Sequence, residues 1–308
     1  MSFAFVFPGQ GSQSIGMMNG WTDLAVVKAT FDEASGVLGD DMWAMATEGP
    51  LEAINATVNT QPLMLTAGVA AWRAWQSQGG AMPAVMAGHS LGEYTALVAA
   101  EALSFGDALS VVRLRAEAMQ EAVPAGTGAM AAILGLSDEL IIEACAEAAQ
   151  GEVVQAVNFN SPGQVVIAGS KAAVERACEA CKARGAKRAM LLPVSVPSHC
   201  DLMKPAAEKL AAKLASIQIN TPIVPVLHNA DVSAYNDAEQ IRDALVRQLY
   251  QPVRWVETVQ KMAADGVTVL AECGPGKVLA GLTKRISADV QGVALVDSAS
   301  IEQLKAAL

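Results

Sequence analysis

The chain is predicted to be an α/β protein, with a mostly parallel sheet covered by helices on both faces and a smaller unit of order β-α-β-β-α-β set into it. Three observations predict this. Short apolar runs alternate with Ala/Leu-rich stretches of helical composition along 308 residues, the rhythm of strands joined by helical crossovers. Three runs lead into glycine-bearing turns, PGQGSQ (8–13), GHSLG (88–92) and CGPG (273–276). Such turns lie at the carboxyl ends of strands, where ligands collect in open α/β sheets. Between residues 126 and 196 the rhythm changes to four strands and two helices.

In order, FAFVF (3–7) is the first strand. It has only five apolar residues before Pro8 and no basic region ahead of it, so it reads as a buried strand rather than a signal peptide. Helical composition covers 61–78, 106–123 and 237–250. AVMAGHS (84–90), VTVLAECGPG (267–276) and VPVLHNAD (224–231) supply further strands of the large sheet. In the middle, TGAMAAILGL (127–136) is a strand and SDELIIEACAEAA (137–149) a helix. EVVQAVNFNSPGQVVIAGS (152–170) is two strands about the turn Asn160-Ser161-Pro162-Gly163. KAAVERACEACKARG (171–185) is a helix and AKRAMLLPVS (186–195) a strand. That order is the ferredoxin-like unit. Residues 126–196 are therefore expected to form a small domain inserted into a large one made of 1–125 and 197–308.

Composition narrows the function. The chain is 52% hydrophobic and 17% charged, enough to bury a large core. Its net charge of −10 argues against nucleic acid or an anionic membrane as the main partner. No apolar run approaches the ~20 residues that span a bilayer. Five cysteines, an odd number, suggest reduced thiols and the cytoplasm. Cys178 and Cys181 form a CxxC, but they share a helical stripe with Val174 and Ala177, which reads as core packing. No second CxxC completes a zinc site.

The chemistry concentrates at Gly88-His89-Ser90-Leu91-Gly92. GxSxG between a strand and a helix is the nucleophile elbow, a sharp turn that presents the serine hydroxyl. Ser90 would sit at a helix N-terminus, where free N–H groups stabilise an oxyanion. The bland alternative is a glycine-rich turn with an idle serine. A nucleophilic serine needs a base, and the chain has three histidines. His89 neighbours Ser90 along the strand and points the other way. His228 reads as an ordinary strand-end histidine. His199, in PVSVPSHC, lies where the chain re-enters the large domain and can face the cleft, although a plain linker histidine would fit too.

A base needs an orienting acceptor, and no acidic residue presents itself. The helix 237–250 runs toward Pro252, which has no N–H for the carbonyl of residue 248. The Gln248 carbonyl is free to accept from an imidazole, or from water. Only that carbonyl is given a role, so its side chain is expected to be dispensable. Arg115 falls inside the apolar stripe of helix 106–123, among Leu109, Val112, Ala116 and Met119. A guanidinium on a buried face needs an anionic partner, either an internal carboxylate or a substrate carboxylate. PGQGSQ fits neither a dinucleotide fingerprint nor a P-loop, and the backbone N–H near Gln10 can complete an oxyanion hole.

The set FVFPGQGSQ, TQP (60–62), GHSLGEY (88–94), Arg115, NFNSPGQVVIAG (158–169), VPSH (196–199), RQLYQPVRW (247–255) and ECGPGKVL (272–279) closely resembles the malonyl-CoA:acyl carrier protein transacylase family. The resemblance runs almost end to end. It implies an α/β-hydrolase-like large domain carrying the ferredoxin-like insert. It implies Ser90 as nucleophile, His199 as base, the Gln248 carbonyl orienting His199, and Arg115 holding the malonyl carboxylate. It further implies the backbone N–H groups of Gln10 and Leu91 as oxyanion hole, and Gln61 near the substrate. The chain departs from many relatives at Ser198, where they place a bulky aromatic. The implied reaction is ping-pong transfer from malonyl-CoA to the phosphopantetheine thiol of acyl carrier protein in fatty acid biosynthesis, by a monomer with no metal or cofactor. A serine thioesterase and a non-catalytic docking subunit are the competing readings.

Acyl carrier proteins are strongly acidic, so docking needs concentrated positive charge near the cleft. The densest cluster is Lys182, Arg184, Lys187 and Arg188; Lys284 and Arg285 are second candidates.

Overall fold

The computed structural model describes residues 2–194 and 196–308. Its strands are β1 (Ser2–Phe7), β2 (Val85–Gly88), β3 (Gly128–Leu134), β4 (Val154–Ser161), β5 (Gln164–Ser170), β6 (Arg188–Leu191), β7 (Val226–Leu227), β8 (Val267–Cys273) and β9 (Gln291–Leu295). Five of them form one sheet in the order β7-β2-β1-β8-β9, with every neighbouring pair parallel. The other four form an antiparallel sheet in the order β4-β5-β3-β6. The chain is thus a mixed α/β protein with a parallel sheet.

β1 shows why the central strand reads as an uninterrupted apolar run. Phe3, Phe5 and Phe7 project to one face, and Ala4 and Val6 to the other, into separate buried clusters. A parallel strand covered on both faces has no polar side to alternate with. Phe5 meets Trp72 and Trp75 edge-on at 5.5 and 5.4 Å. Both tryptophans lie on the long helix Thr57–Ser77, which seals that face beside the helix Phe105–Ala122.

Parallel register carries the loops of interest to one edge. Phe7 pairs with Gly88, and His89 N–H donates to Phe7 O at 2.9 Å. The loop after β1 and the turn after β2 therefore leave the sheet side by side.

Several elements differ from expectation. The strand expected over 224–231 is only Val226–Leu227, because Pro225 cannot donate to a ladder and the chain turns away at His228 to bury Asn229 beside the elbow. The helix expected from 61 begins at Thr57. Pro62 lies inside it rather than opening it, and Thr66 Oγ1 donates to the Pro62 carbonyl. The strand expected over 186–195 is Arg188–Leu191, and Ser195 lies outside the described residues. β9 was not anticipated, since only Leu295 of its five residues is buried.

Candidate active site

Ser90 sits between β2 and the helix Gly92–Ala99 with φ 52°, a left-handed conformation that costs a side-chain-bearing residue energy and persists where surroundings enforce it. The turn closes because its flanks lack side chains: a Cβ on Gly88 would come within 1.8 Å of the Gly92 backbone. A Cβ on Gly9 would fall 2.5 Å from His89 O, so the loop after β1 is equally dependent on glycine for its approach to the elbow.

His199 is also left-handed, with φ 66°. Its N–H donates to Leu249 O at 3.1 Å. Its Nε2 lies 2.7 Å from Ser90 Oγ and its Nδ1 2.7 Å from the Gln248 carbonyl. A carbonyl only accepts, so Nδ1 carries the proton and Nε2 is the acceptor facing the serine. Among the described residues no carboxylate bonds to this ring. His199 is 3% exposed. Burial and then the charge of Arg115 pull its pKa down to about 3, so the ring is neutral and able to take a proton at neutral pH.

Arg115 is 1% exposed and forms no ion pair among the described residues. Its Nη1 donates to Gln61 Oε1 at 2.7 Å, and its Nη2 to Ser90 Oγ and Gln248 Oε1, both at 3.2 Å. An internal carboxylate does not occupy the fork. The N–H groups of Gln10 and Leu91 donate to no internal acceptor among the described residues, whereas the N–H of Ser90 is held by Asn229 Oδ1 at 2.7 Å.

These groups line one cleft between the two sheets. The large sheet brings Gln10, Ser90 and Leu91, the helices bring Gln61 and Arg115, and the smaller sheet side brings Met130, Asn158 and Leu192. Ser198 lines it as well. His89 turns to Asn160 Oδ1 at 2.8 Å and to the Trp255 ring, not to the serine.

Two expectations are corrected. The Gln248 side chain is not without contacts in the site: it is wholly buried, and its Nε2 donates to Ser90 O at 2.8 Å while its Oε1 accepts from Arg115. Side-chain roles of a residue at the end of a helix cannot be read from a missing main-chain partner. His228 is more than a strand-end residue, since its Nδ1 meets Glu93 Oε1 at 2.7 Å with both side chains fully buried. Glu93, Asn229 and Met119 were missed as members of this region. Met119 lies one turn beyond Arg115 on the same face and accepts from Gln61 Nε2 at 3.5 Å, a spacing legible in the sequence; the position of Asn229 is not.

The geometry has a direct pH consequence. With His199 as base for a serine that attacks a thioester without titrating groups of its own, kcat/KM of acylation is expected to stay level from pH 5 to 8, with no inflection near 6.5, since the ring titrates far below that range. His199→Ala should lower it by about 10²–10⁴-fold. The same shift makes acid destabilising. Between pH 6.5 and about 3 the unfolded chain takes up a proton that the folded chain does not, so stability falls as pH falls through that window.

A family model described as an acyl transferase domain matches residues 4–302, which makes the chain an acyltransferase. It is 61% identical over 300 residues to a malonyl CoA-acyl carrier protein transacylase of Salmonella typhimurium, covering 97% of each chain. The crystal structure of an acyl carrier protein S-malonyltransferase from Vibrio cholerae superposes with a TM-score of 0.97 at 60% identity, covering 99% of this chain and 100% of that one. A malonyl-transacylase solved in complex with a type II PKS acyl-carrier protein superposes with a TM-score of 0.97 at 58% identity over 98% of both chains. The chain belongs to the malonyl CoA-acyl carrier protein transacylase family.

Proposed function

We propose that the chain moves a malonyl group from malonyl-CoA to the phosphopantetheine thiol of acyl carrier protein through a malonyl-serine intermediate. The observation that carries this reading is a strained elbow serine 2.7 Å from a buried neutral histidine, beside an arginine that no internal carboxylate occupies. Ser90 Oγ attacks the thioester carbonyl and His199 Nε2 takes its proton. The oxyanion faces the N–H groups of Gln10 and Leu91. Collapse breaks the C–S bond, and CoA leaves as a thiol with the proton from His199. The carrier's thiol then gives its proton to His199 and attacks the serine ester; collapse breaks the acyl–Oγ bond, and His199 returns the proton to Ser90 Oγ. Arg115 and Gln61 hold the acyl carboxylate throughout.

That the groups in this scheme all lie on one chain supports reading the protein as a monomer. No resident cofactor or metal is proposed; among the described residues no group of three or more His, Cys, Asp or Glu is arranged to hold a metal ion. No helix among the described residues is long and apolar enough to cross a membrane. Five unpaired buried cysteines support a reducing compartment, the cytoplasm. Residues 1–125 and 197–308 are read as an α/β-hydrolase-like domain, supported by the parallel sheet and its elbow. Residues 126–196 are read as a ferredoxin-like insert, supported by the antiparallel order β4-β5-β3-β6 with a helix after β3 and after β5.

The docking surface is read as one patch. Lys182 pairs with Glu179 and Arg184 with Glu147, which neutralises half of the first cluster. Lys187 and Arg188 are exposed and free of ion pairs among the described residues. The Lys187 stem lies against Gly135, Gly135 N–H donates to Gly163 O, and the adjoining Gln164 Oε1 accepts from Arg285 at 3.0 Å. This chain of contacts from Lys187 to Arg285 supports reading Lys187, Arg188, Lys284 and Arg285 as one patch.

Rapid mixing tests the function. Malonyl-CoA should leave a stable malonyl-enzyme that holo acyl carrier protein discharges; hydrolysed malonate would mean a thioesterase, and no adduct a docking subunit. In the double variant Lys187→Glu/Arg188→Glu, malonyl-enzyme formation should be unchanged while the KM for carrier protein rises and its salt dependence weakens. An unaltered KM would remove those two residues from the docking surface.

A further inference from the structure

Behind the elbow lies a carboxylate that the reaction above does not use. Glu93, in the first turn of the helix after Ser90, is wholly buried. It accepts from His228 Nδ1 at 2.7 Å, Asn229 N–H at 2.9 Å and Gln248 Nε2 at 3.1 Å. Asn229 in turn accepts from Ser90 N–H through Oδ1, and through Nδ2 donates to Gly88 O at 2.7 Å. Gln248 reaches everything else: its carbonyl holds His199, its Nε2 also donates to Ser90 O, and its Oε1 accepts from Arg115.

Glu93, the Gln248 carboxamide and Arg115 thus stand in line. An amide between an acid and a guanidinium has one satisfactory orientation, with its N–H toward the acid and its oxygen toward the cation. Arg115 needs such a neighbour. A buried cation without a counter-charge is costly, and the groups that touch it, Gln61, Ser90 and Gln248, are neutral. The Tyr94 ring lies 5.7 Å from its guanidinium, but burial pushes the phenol well up and keeps it uncharged. That leaves Glu93 as the compensating charge. A direct Glu93–Arg115 pair would occupy N–H groups that an acyl carboxylate requires. With an amide between them the charges compensate and the guanidinium meets only neutral oxygens, those of Gln61, Ser90 and Gln248, which a charged acyl carboxylate outcompetes as acceptor; Arg115 Nε has no partner among the described residues.

We propose that Glu93 is a positioning residue for acyl selection: acting through Gln248, it supplies the counter-charge of Arg115 without occupying it, and its own negative charge limits how tightly the site holds an acyl carboxylate. The inference rests on the reading of Arg115 as the carboxylate-binding group.

Its sign is opposite to that of a packing defect. Glu93→Gln removes the charge and keeps the shape. His228 accommodates the change, because its Nε2 has no partner among the described residues and can carry the ring proton while Nδ1 accepts from the new amide. Two carboxylates roughly 8–10 Å apart at an effective dielectric of ~20 repel by about a factor of ten or more in affinity. The dissociation constants of malonyl-CoA and acetyl-CoA are to be measured by calorimetry in a Ser90→Ala background, where no acyl transfer occurs. Adding Glu93→Gln should tighten malonyl-CoA about tenfold and move acetyl-CoA less than twofold. A malonyl-CoA constant that is unchanged or weaker, or one that shifts together with that of acetyl-CoA, overturns the proposal. If Glu93→Gln prevents folding, Arg115→Met in the same chain should restore it, since the cation that needed compensation is gone; failure to restore the fold also overturns it. Arg115→Ala in the same assay separates the two readings. If malonyl-CoA binds that variant as tightly as the parent, the reading of Arg115 fails and this inference with it. If Arg115→Ala weakens malonyl-CoA while Glu93→Gln does not tighten it, this inference alone fails.

Discussion

Replacing Ser90 with alanine is expected to abolish covalent malonylation. No other hydroxyl in the cleft lies on a left-handed turn within 2.7 Å of an imidazole nitrogen. The thiol nearest to His199 in sequence is that of Cys200. It is fully buried, its Sγ is directed to Pro197 O at 3.2 Å, and burial pushes its thiol up to about 12, so it is neither accessible nor ionised at neutral pH. Intact-mass analysis after incubation with malonyl-CoA should show a full adduct on the parent chain and none on Ser90→Ala. A stoichiometric adduct on the variant would remove Ser90 from the mechanism.

Arg115→Ala should invert acyl preference. A charge-assisted hydrogen bond contributes roughly 1.5–3 kcal/mol, and an acyl carboxylate left unpaired in a buried cleft costs more. At ~1.4 kcal/mol per decade, malonyl transfer should fall by about 10²-fold or more. Acetyl transfer, which presents no carboxylate, should be equal or better, because the guanidinium that now donates to Ser90 Oγ and depresses the His199 pKa is gone. Parallel measurement of malonyl and acetyl transfer decides the point. An equal fall in both would make Arg115 a structural cation whose loss disorders Gln61 and Gln248.

The sheet-forming runs differ in how readily they can be read. FAFVF, and the two strands about Asn160–Gly163, announce themselves by continuous β-branched and aromatic residues and by a turn with a known mechanism. VPVLHNAD carries the same composition, yet only two of its residues pair. Whether an edge segment continues as a strand depends on what lies beyond it, and here the elbow draws Asn229 out of line. β9 has the reverse problem: Gln291 and Gly292 carry little strand signal, and it forms because β8 offers it a parallel edge.

For the site, the chain by itself determined the candidates: an elbow serine between glycines, a histidine at the return from the central unit, an arginine set into an apolar helical stripe, and a carbonyl left without its helical partner by Pro252. Each is a local departure from a pattern, and local patterns are what a sequence displays. The tertiary structure alone decided how they connect. Ser90 and His199 are 109 residues apart, and Glu93 and Gln248 are 155 apart; no periodicity spans such distances. The buried polar groups of Glu93, Asn229 and Gln248 had to find partners once the sheet and helices excluded water from them. Only the packed chain determines which partners those are.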